Sequence, residues 1–142
     1  INALDAALDI YLGEGEQAVW ARHALTAKAC RAGVQAAGLK LWAAREDIAS
    51  PTCTAVAIPD GIDEAKLRAL IRSRYGVMLS SGRAETLGKL TRIGHMGTTA
   101  RPIYAVVAVA AIAGGLQAMG AKGINVGEGV AAAMRVIDLA AG

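Results

Sequence analysis

The chain has 142 residues, 54% of them hydrophobic and 19% charged, which provides ample apolar surface for a core and excludes a disordered tail. The length favours a single domain. The net charge is only +3 and the basic residues are scattered, so we predict no nucleic-acid surface. The longest apolar run, 103–116, is shorter than a membrane span, so we predict no membrane contact. The two cysteines lack motif spacing and no leader pattern opens the chain, which favours a cytoplasmic protein.

Apolar residues at helical spacing predict five helices, and short apolar or β-branched runs between them predict four strands. The predicted helices span 2–12, 16–37, 63–75, 102–119 and 128–139. The predicted strands span 39–42, 52–58, 77–79 and 90–93, with a polar loop at 80–89. Asp63 is predicted to cap the third helix, and Gly33 is tolerated in the second at a cost in helix propensity. The order predicts an α+β fold in which helices cover one face of a small, mainly antiparallel sheet of three to four strands.

Two glycine-rich segments match nucleotide-binding motifs only loosely. Five residues separate Gly82 from Gly88, one more than in a Walker loop, and Lys89 is not followed by a hydroxyl residue. The segment 127–132 fits the loose dinucleotide fingerprint, but the βαβ unit that this motif needs is not predicted around it. Neither segment supports nucleotide binding.

Metal and nucleophilic sites also lack support in the sequence. His23 and His95 do not lie among Cys, Asp or Glu residues at metal-ligand spacing. Cys30 and Cys53 fall on a predicted helix and a predicted strand, where cysteine is more often a small hydrophobic residue than a nucleophile. We therefore predict no metal site and no nucleophilic cysteine in this chain.

Arg92 stands out because it lies in the middle of a short apolar strand. A partly desolvated guanidinium needs partners for its donors, most naturally a carboxylate. Two interpretations stay open at this point. One is a structural salt bridge, with Glu85 or Asp63 as the partner. The other is a planar fork that holds a small carboxylic acid by two parallel hydrogen bonds.

The segment 88–97, Gly-Lys-Leu-Thr-Arg-Ile-Gly-His-Met-Gly, is preceded by Tyr-Gly-Val at 75–77 and by the loop at Gly82. Together these residues resemble the C-terminal domain of class V aminotransferases of the alanine–glyoxylate and serine–pyruvate type. The resemblance extends from the opening helix to the closing helix. The segment 80–89 is most similar to that of the members that use pyridoxamine.

This resemblance implies a domain organisation. Residues 1–142 would form the small C-terminal domain of a fold type I pyridoxal-phosphate-dependent transferase, with linking helices at 1–37. The large cofactor-binding domain would lie outside this chain, and family members are commonly homo-oligomers. The start at Ile1, directly inside a helical pattern, also suggests a piece of a longer protein.

The resemblance further implies an activity and two site residues. Arg92 would pair with the α-carboxylate of the substrate, and Arg83 would help to shape the substrate site. The parent protein would move an amino group between an amine, such as pyridoxamine, and a small 2-oxo acid, such as pyruvate. Pyridoxal 5′-phosphate is the cofactor of ordinary members, whereas free pyridoxamine and pyridoxal are substrates in the others. The lysine and aspartate that hold the pyridoxal group belong to the large domain, so Lys89 is not assigned to catalysis.

Two alternatives accompany this interpretation. Within the family, the parent would be a pyridoxal-phosphate-dependent alanine–glyoxylate or serine–pyruvate aminotransferase. In another class of protein, the chain would be a non-catalytic module that binds a small carboxylate or dimerises through the helix at 103–116.

Overall fold

The computed structural model describes residues 1–141, which form five α-helices, three strands and three short 3-10 helices. The helices are α1 (Asn2–Glu14), α2 (Glu16–Ala36), α3 (Glu64–Tyr75), α4 (Pro102–Ala118) and α5 (Val126–Ala141). The strands are β1 (Cys53–Ala57), β2 (Ser80–Ser81) and β3 (Leu90–Gly94). The 3-10 helices span Glu46–Ile48, Ala84–Thr86 and Gly97–Thr99. Across this described part of the chain, no helix combines the length and hydrophobicity that crossing a membrane requires.

The sheet is antiparallel and has the order β1–β3–β2. Side chains alternate between its two faces. Val56 of β1 and Ile93 of β3 lie on one face, where they join the hydrophobic core with residues of α2, α3 and α4. Arg92 and its cross-strand partner Ala55 lie on the opposite face and are only half-buried. The predicted α+β fold, with helices on one face of an antiparallel sheet, is confirmed.

The helices enclose a core of aliphatic side chains. Burying each of these contributes roughly 1.5–3 kcal/mol. The largest fully buried apolar side chains are Leu67, Ile71, Ile112, Leu116, Val34, Val56 and Val109. Helices α2 and α5 cross backbone to backbone, because a Cβ at Gly33 would lie 2.9 Å from the carbonyl oxygen of Gly129. This close crossing explains why a glycine occupies position 33, in the interior of α2, where helix propensity alone disfavours it.

Local capping sets the ends of α3 and the start of α5. The Asp63 side chain accepts a hydrogen bond from the backbone N–H of Lys66 at 3.0 Å, which confirms the predicted cap. Gly76 ends α3 in the left-handed conformation, with φ of 69°. The side chain of Asn125 accepts a hydrogen bond from the backbone N–H of Glu128 at 3.1 Å. As a result α5 begins two residues before the predicted start at Glu128.

Two predicted strands are wrong. The segment 39–42 forms only a single antiparallel bridge, between Leu41 and Val56. The segment 77–79 is not a strand, because its apolar residues Val77 and Leu79 pack against the core from a loop. The strand that pairs with β3 is instead the polar pair Ser80–Ser81, which had been predicted as loop. In these two segments the apolar residues therefore indicate packing against the core and do not indicate strand pairing.

Helix α1 differs from the other helices because it buries none of its residues. It packs mainly against α2. The ion pair between Glu14 and Arg22 joins the two helices, and Arg22 Nη1 also donates to the carbonyl oxygen of Gly97 at 2.7 Å. Several large apolar side chains of α1 are exposed, namely Leu4, Leu8, Ile10 and Leu12.

Candidate functional site

Arg92 occupies the centre of β3 on the face that the helices leave open. Its Nε donates a hydrogen bond to the carbonyl oxygen of Ser81 at 2.9 Å. Within residues 1–141, no carboxylate forms an ion pair with its guanidinium. Asp63 caps α3 and pairs with Lys66, and Glu85 joins no salt bridge in the described chain. The interpretation of Arg92 as a structural salt bridge to Glu85 or Asp63 is therefore wrong.

The hydrogen bonding of Arg92 leaves its two terminal nitrogens for a ligand. Neither Nη1 nor Nη2 makes a hydrogen bond within the described residues, whereas Nε is occupied by Ser81. Two parallel N–H donors match the two oxygens of a carboxylate and give a charge-assisted, bidentate contact. The open sheet face can therefore accept a small carboxylic acid.

Arg83 lies in a tight loop that follows β2. Its backbone N–H donates to Thr86 Oγ1 at 2.9 Å, and this hydroxyl donates to the carbonyl oxygen of Arg83 at 2.7 Å. A Cβ at Gly82 would overlap the carbonyl group of Thr86, so only glycine fits there. Ala84 adopts φ of 48°, a left-handed conformation that costs an alanine roughly 1–2 kcal/mol. The loop thus holds an exposed Arg83 two residues beyond Ser81, at the β2 edge of the sheet.

Both thiols have raised pKa values, Cys30 in the core and Cys53 in a half-buried position. Burial raises the pKa of Cys30 to about 11. Burial also raises the pKa of Cys53, and the nearby positive charge of Arg92 opposes that shift. A protonated thiol is a poor nucleophile, which agrees with the interpretation of both cysteines as packing residues.

His95 joins the end of β3 to the start of β1. It is 2% exposed, and its Nδ1 donates to the carbonyl oxygen of Pro51 at 3.0 Å. The other ring nitrogen, Nε2, accepts from Thr54 Oγ1 at 2.9 Å, so the neutral tautomer satisfies both partners. Burial lowers the pKa of His95, and the hydrogen bond to Pro51 opposes this shift. His95 is a neutral structural residue three positions after Arg92.

We expect the free energy of unfolding to decrease as the pH falls below about 6.5, the ordinary pKa of an imidazole. The unfolded chain takes up this proton more readily than the folded chain, so acid favours unfolding. The contribution of His95 is fully present above that pH. Urea unfolding at several pH values should show a shallower pH dependence for His95→Gln than for the wild type. Equal slopes in the two proteins would contradict this account.

The described residues bring together no cluster of metal-ligating side chains. No group of three His, Cys, Asp or Glu residues in this part of the chain could hold a metal ion. All lysines of the described chain are exposed, namely Lys28, Lys40, Lys66, Lys89 and Lys122. That the lysine for the pyridoxal group lies outside this chain stays a prediction.

Sequence reasoning missed two residues near Arg92. Ser81 was placed in a loop, and Glu64 has the ordinary character of an acidic residue in a first helical turn. In the structure Ser81 Oγ donates to Glu64 Oε2 at 3.1 Å. The only signal in the sequence was the position of Glu64 directly after the capping residue of α3, which does not reveal that it is buried.

The fold and the sequence define the class of protein. No family model matches the chain. A serine–glyoxylate aminotransferase of Methylorubrum extorquens is 37% identical over 135 residues, which cover 94% of this chain and 33% of that protein. The helices and antiparallel sheet match the C-terminal portion of fold type I aminotransferases. The predicted resemblance to class V aminotransferases is thereby confirmed over the part of those proteins that the chain spans.

A second relative has a higher sequence identity to the chain. The chain is 64% identical over 138 residues to the pyridoxamine–pyruvate transaminase of Mesorhizobium japonicum. The aligned residues cover 97% of this chain and 35% of that protein. The crystal structure of pyridoxamine–pyruvate aminotransferase from Mesorhizobium loti superposes with a TM-score of 0.95 at 63% identity. That superposition covers 98% of this chain and 35% of the solved chain. The chain thus spans about a third of the length of these relatives.

Proposed function

We propose that this chain is the substrate-binding C-terminal part of a longer transaminase. The whole protein moves an amino group from pyridoxamine to pyruvate and yields pyridoxal and L-alanine. The observation that carries this proposal is Arg92, whose two terminal nitrogens have no partner within the described chain and lie on the open sheet face. The 64% identity to a pyridoxamine–pyruvate transaminase supports this choice of substrates.

In the proposed reaction, Arg92 positions the 2-oxo acid. Its fork holds the carboxylate of the oxo acid, so that the adjacent carbonyl carbon faces the amine. A pyridoxal group, when bound, supplies the electron sink for amino-group transfer. That group is held by residues of the parent protein outside this chain, whether it is a retained phosphate cofactor or the free vitamin as substrate.

The rest of the parent protein completes the site. We assign residues 1–142 to the small domain, with the helices of 1–37 linking it to a large cofactor-binding domain. The exposed apolar side chains of α1, such as Leu4 and Leu8, support a further covering part of the protein or a second subunit. The proposal includes a cytoplasmic homo-oligomer. It also implies that the chain alone is inactive, which an assay of the isolated 142 residues tests.

Formation of pyridoxal tests the proposed function. The full-length protein is desalted to remove loose cofactor and then supplied with pyridoxamine and pyruvate. We expect pyridoxal and alanine to form in equal amounts. No pyridoxal, together with bound pyridoxal phosphate and turnover of serine or alanine with glyoxylate, would overturn the choice of substrates and keep the family.

A glyoxylate aminotransferase is the second candidate within the family. The observation that favours it is the 37% identity to a serine–glyoxylate aminotransferase over nearly the whole chain. Arg92 would then hold the carboxylate of glyoxylate in the same way. A non-catalytic carboxylate-binding module, the candidate of another class, predicts binding of pyruvate by calorimetry without turnover by the full-length protein.

We propose that Arg83 helps to shape the part of the substrate site that binds the amine, and its replacement with glutamine tests this role. We expect kcat/KM for pyridoxamine to fall about tenfold, because a hydrogen bond from a charged group contributes about 1.5–3 kcal/mol. The KM for pyruvate should stay within about twofold, because Arg92 holds that substrate. Arg135→Gln, the same substitution at an exposed arginine of α5, is the matched control. An unchanged kcat/KM for pyridoxamine would show that Arg83 does not contribute to binding of the amine.

A further inference from the structure

Glu64 is a buried carboxylate that the proposed function does not yet use. It is 4% exposed at the first position of α3. A buried charge is expensive unless it is paired and hydrogen-bonded. Glu64 meets this requirement with two partners, the guanidinium of Arg68 and the hydroxyl of Ser81. The partner that is not on its own helix, Ser81, belongs to β2.

Ser81 connects this buried carboxylate to Arg92 through its two polar groups. Its side-chain hydroxyl donates to Glu64 Oε2 at 3.1 Å, and its backbone carbonyl oxygen accepts from Arg92 Nε at 2.9 Å. Strand β2 is only two residues long and, among the described strands, pairs with β3 alone, so few contacts hold it. The bond to Glu64 is the side-chain contact that ties this short edge strand to a helix of the core.

We propose that Glu64 and Ser81 are positioning residues for the carboxylate fork of Arg92. Glu64, oriented by Arg68, fixes Ser81, and the Ser81 carbonyl then occupies Arg92 Nε. With Nε occupied, the guanidinium presents Nη1 and Nη2 end-on to the two oxygens of the oxo acid. This inference rests on the proposed role of Arg92 and adds the residues that set the orientation of its fork.

The energetic reason lies in the geometry of a bidentate contact. A guanidinium that rotates freely loses the alignment of its two donors with the carboxylate. Fixing one of its N–H groups before the substrate arrives removes part of that ordering cost. Only the oxo acid gains from this, because pyridoxamine carries no carboxylate. The effect should therefore appear in the KM for the oxo acid and not in the KM for the amine.

Ser81→Ala in the full-length protein is the main test. It removes the hydroxyl that Glu64 holds and keeps the backbone carbonyl. We expect the KM for pyruvate to rise about fivefold, less than for the loss of a direct charged hydrogen bond because Ser81 acts on the substrate only through Arg92, while the KM for pyridoxamine stays within about twofold. Glu64→Gln, which removes the charge, should act in the same direction. Ser81→Thr retains a hydroxyl and should retain the wild-type KM.

Two controls separate positioning from a merely structural role. Glu46→Gln makes the same chemical change at an exposed acid that pairs with Arg31, and it should leave both KM values unchanged. In an Arg92→Ala background, Ser81→Ala should raise the KM for pyruvate no further, because the fork that it positions is gone. An additional increase in that background would overturn the inference. Equal increases in both KM values would also overturn it, as would no change in either.

The outcomes also distinguish this inference from the function on which it rests. If Arg92→Ala leaves the KM for pyruvate unchanged, the role of Arg92 fails and the positioning residues fail with it. If Arg92→Ala raises that KM and Ser81→Ala does not, only the inference about Glu64 and Ser81 fails.

Discussion

Replacing Arg92 with alanine is expected to raise the KM for the 2-oxo acid at least about tenfold in the full-length protein, with little change in the KM for the amine. The physical reason is the loss of a charged, bidentate contact, which contributes about 1.5–3 kcal/mol. No carboxylate within the described residues pairs with Arg92, so the substitution breaks no internal salt bridge there. Steady-state kinetics with each substrate varied in turn measures the effect.

Two further variants make this result specific. Arg92→Lys keeps the positive charge and loses the planar fork, so its KM for the oxo acid should lie between the wild type and the alanine variant. Arg135→Ala removes an exposed arginine of α5 and should leave the kinetics unchanged. A wild-type KM for the oxo acid in Arg92→Ala would end the assignment of Arg92 as the carboxylate-binding residue.

Replacing Gly129 with valine should lower the free energy of unfolding by about 2–3 kcal/mol. A Cβ at this position would lie 2.8 Å from Ala37 Cβ and 2.9 Å from the carbonyl oxygen of Gly33. The second contact is with backbone, which cannot rotate away, so α2 and α5 must separate. Denaturant unfolding of the full-length protein measures the change.

The matched control lies on the same helix. Gly127→Val makes the same substitution two residues earlier, where a Cβ would meet only the Asn125 side-chain oxygen at 3.5 Å. Its effect on the free energy of unfolding should stay below about 1 kcal/mol. Gly129→Ala adds only the Cβ itself and should give a smaller loss than valine. Equal stability of Gly129→Val and Gly127→Val would show that the close crossing does not matter for stability.

The helices show how much local pattern can predict. Apolar periodicity located all five within two residues of their observed ends, because a stripe of apolar residues records which face of a helix is buried. Asp63 was identified as a cap for a local reason, since its side chain bonds the backbone N–H three residues later. The strands were harder, because a two-residue edge strand such as Ser80–Ser81 has no periodicity to read.

Only part of the candidate site could be predicted from local sequence pattern. Arg92 was recognisable in the sequence because a charged residue in an apolar strand conflicts with its surroundings and needs a partner. The resemblance to aminotransferases then suggested that the partner is a substrate. The geometry that holds Arg92 was not predictable, because Ser81 looked like a loop residue and Glu64 like an exposed acid. Only their contacts, across 17 positions of the chain, show that they belong together.

The sequence by itself determined the helices and the α+β class, and it singled out Arg92 as a charged residue in an apolar strand. Each of these depends on residue types at short spacing, where hydrophobic periodicity, capping and local charge act directly. The tertiary structure decided that Arg92 lies on the open sheet face without a carboxylate partner among residues 1–141, and that Gly33 and Gly129 let two helices touch. These features depend on contacts between residues distant in the chain, which form only when packing brings their backbones together.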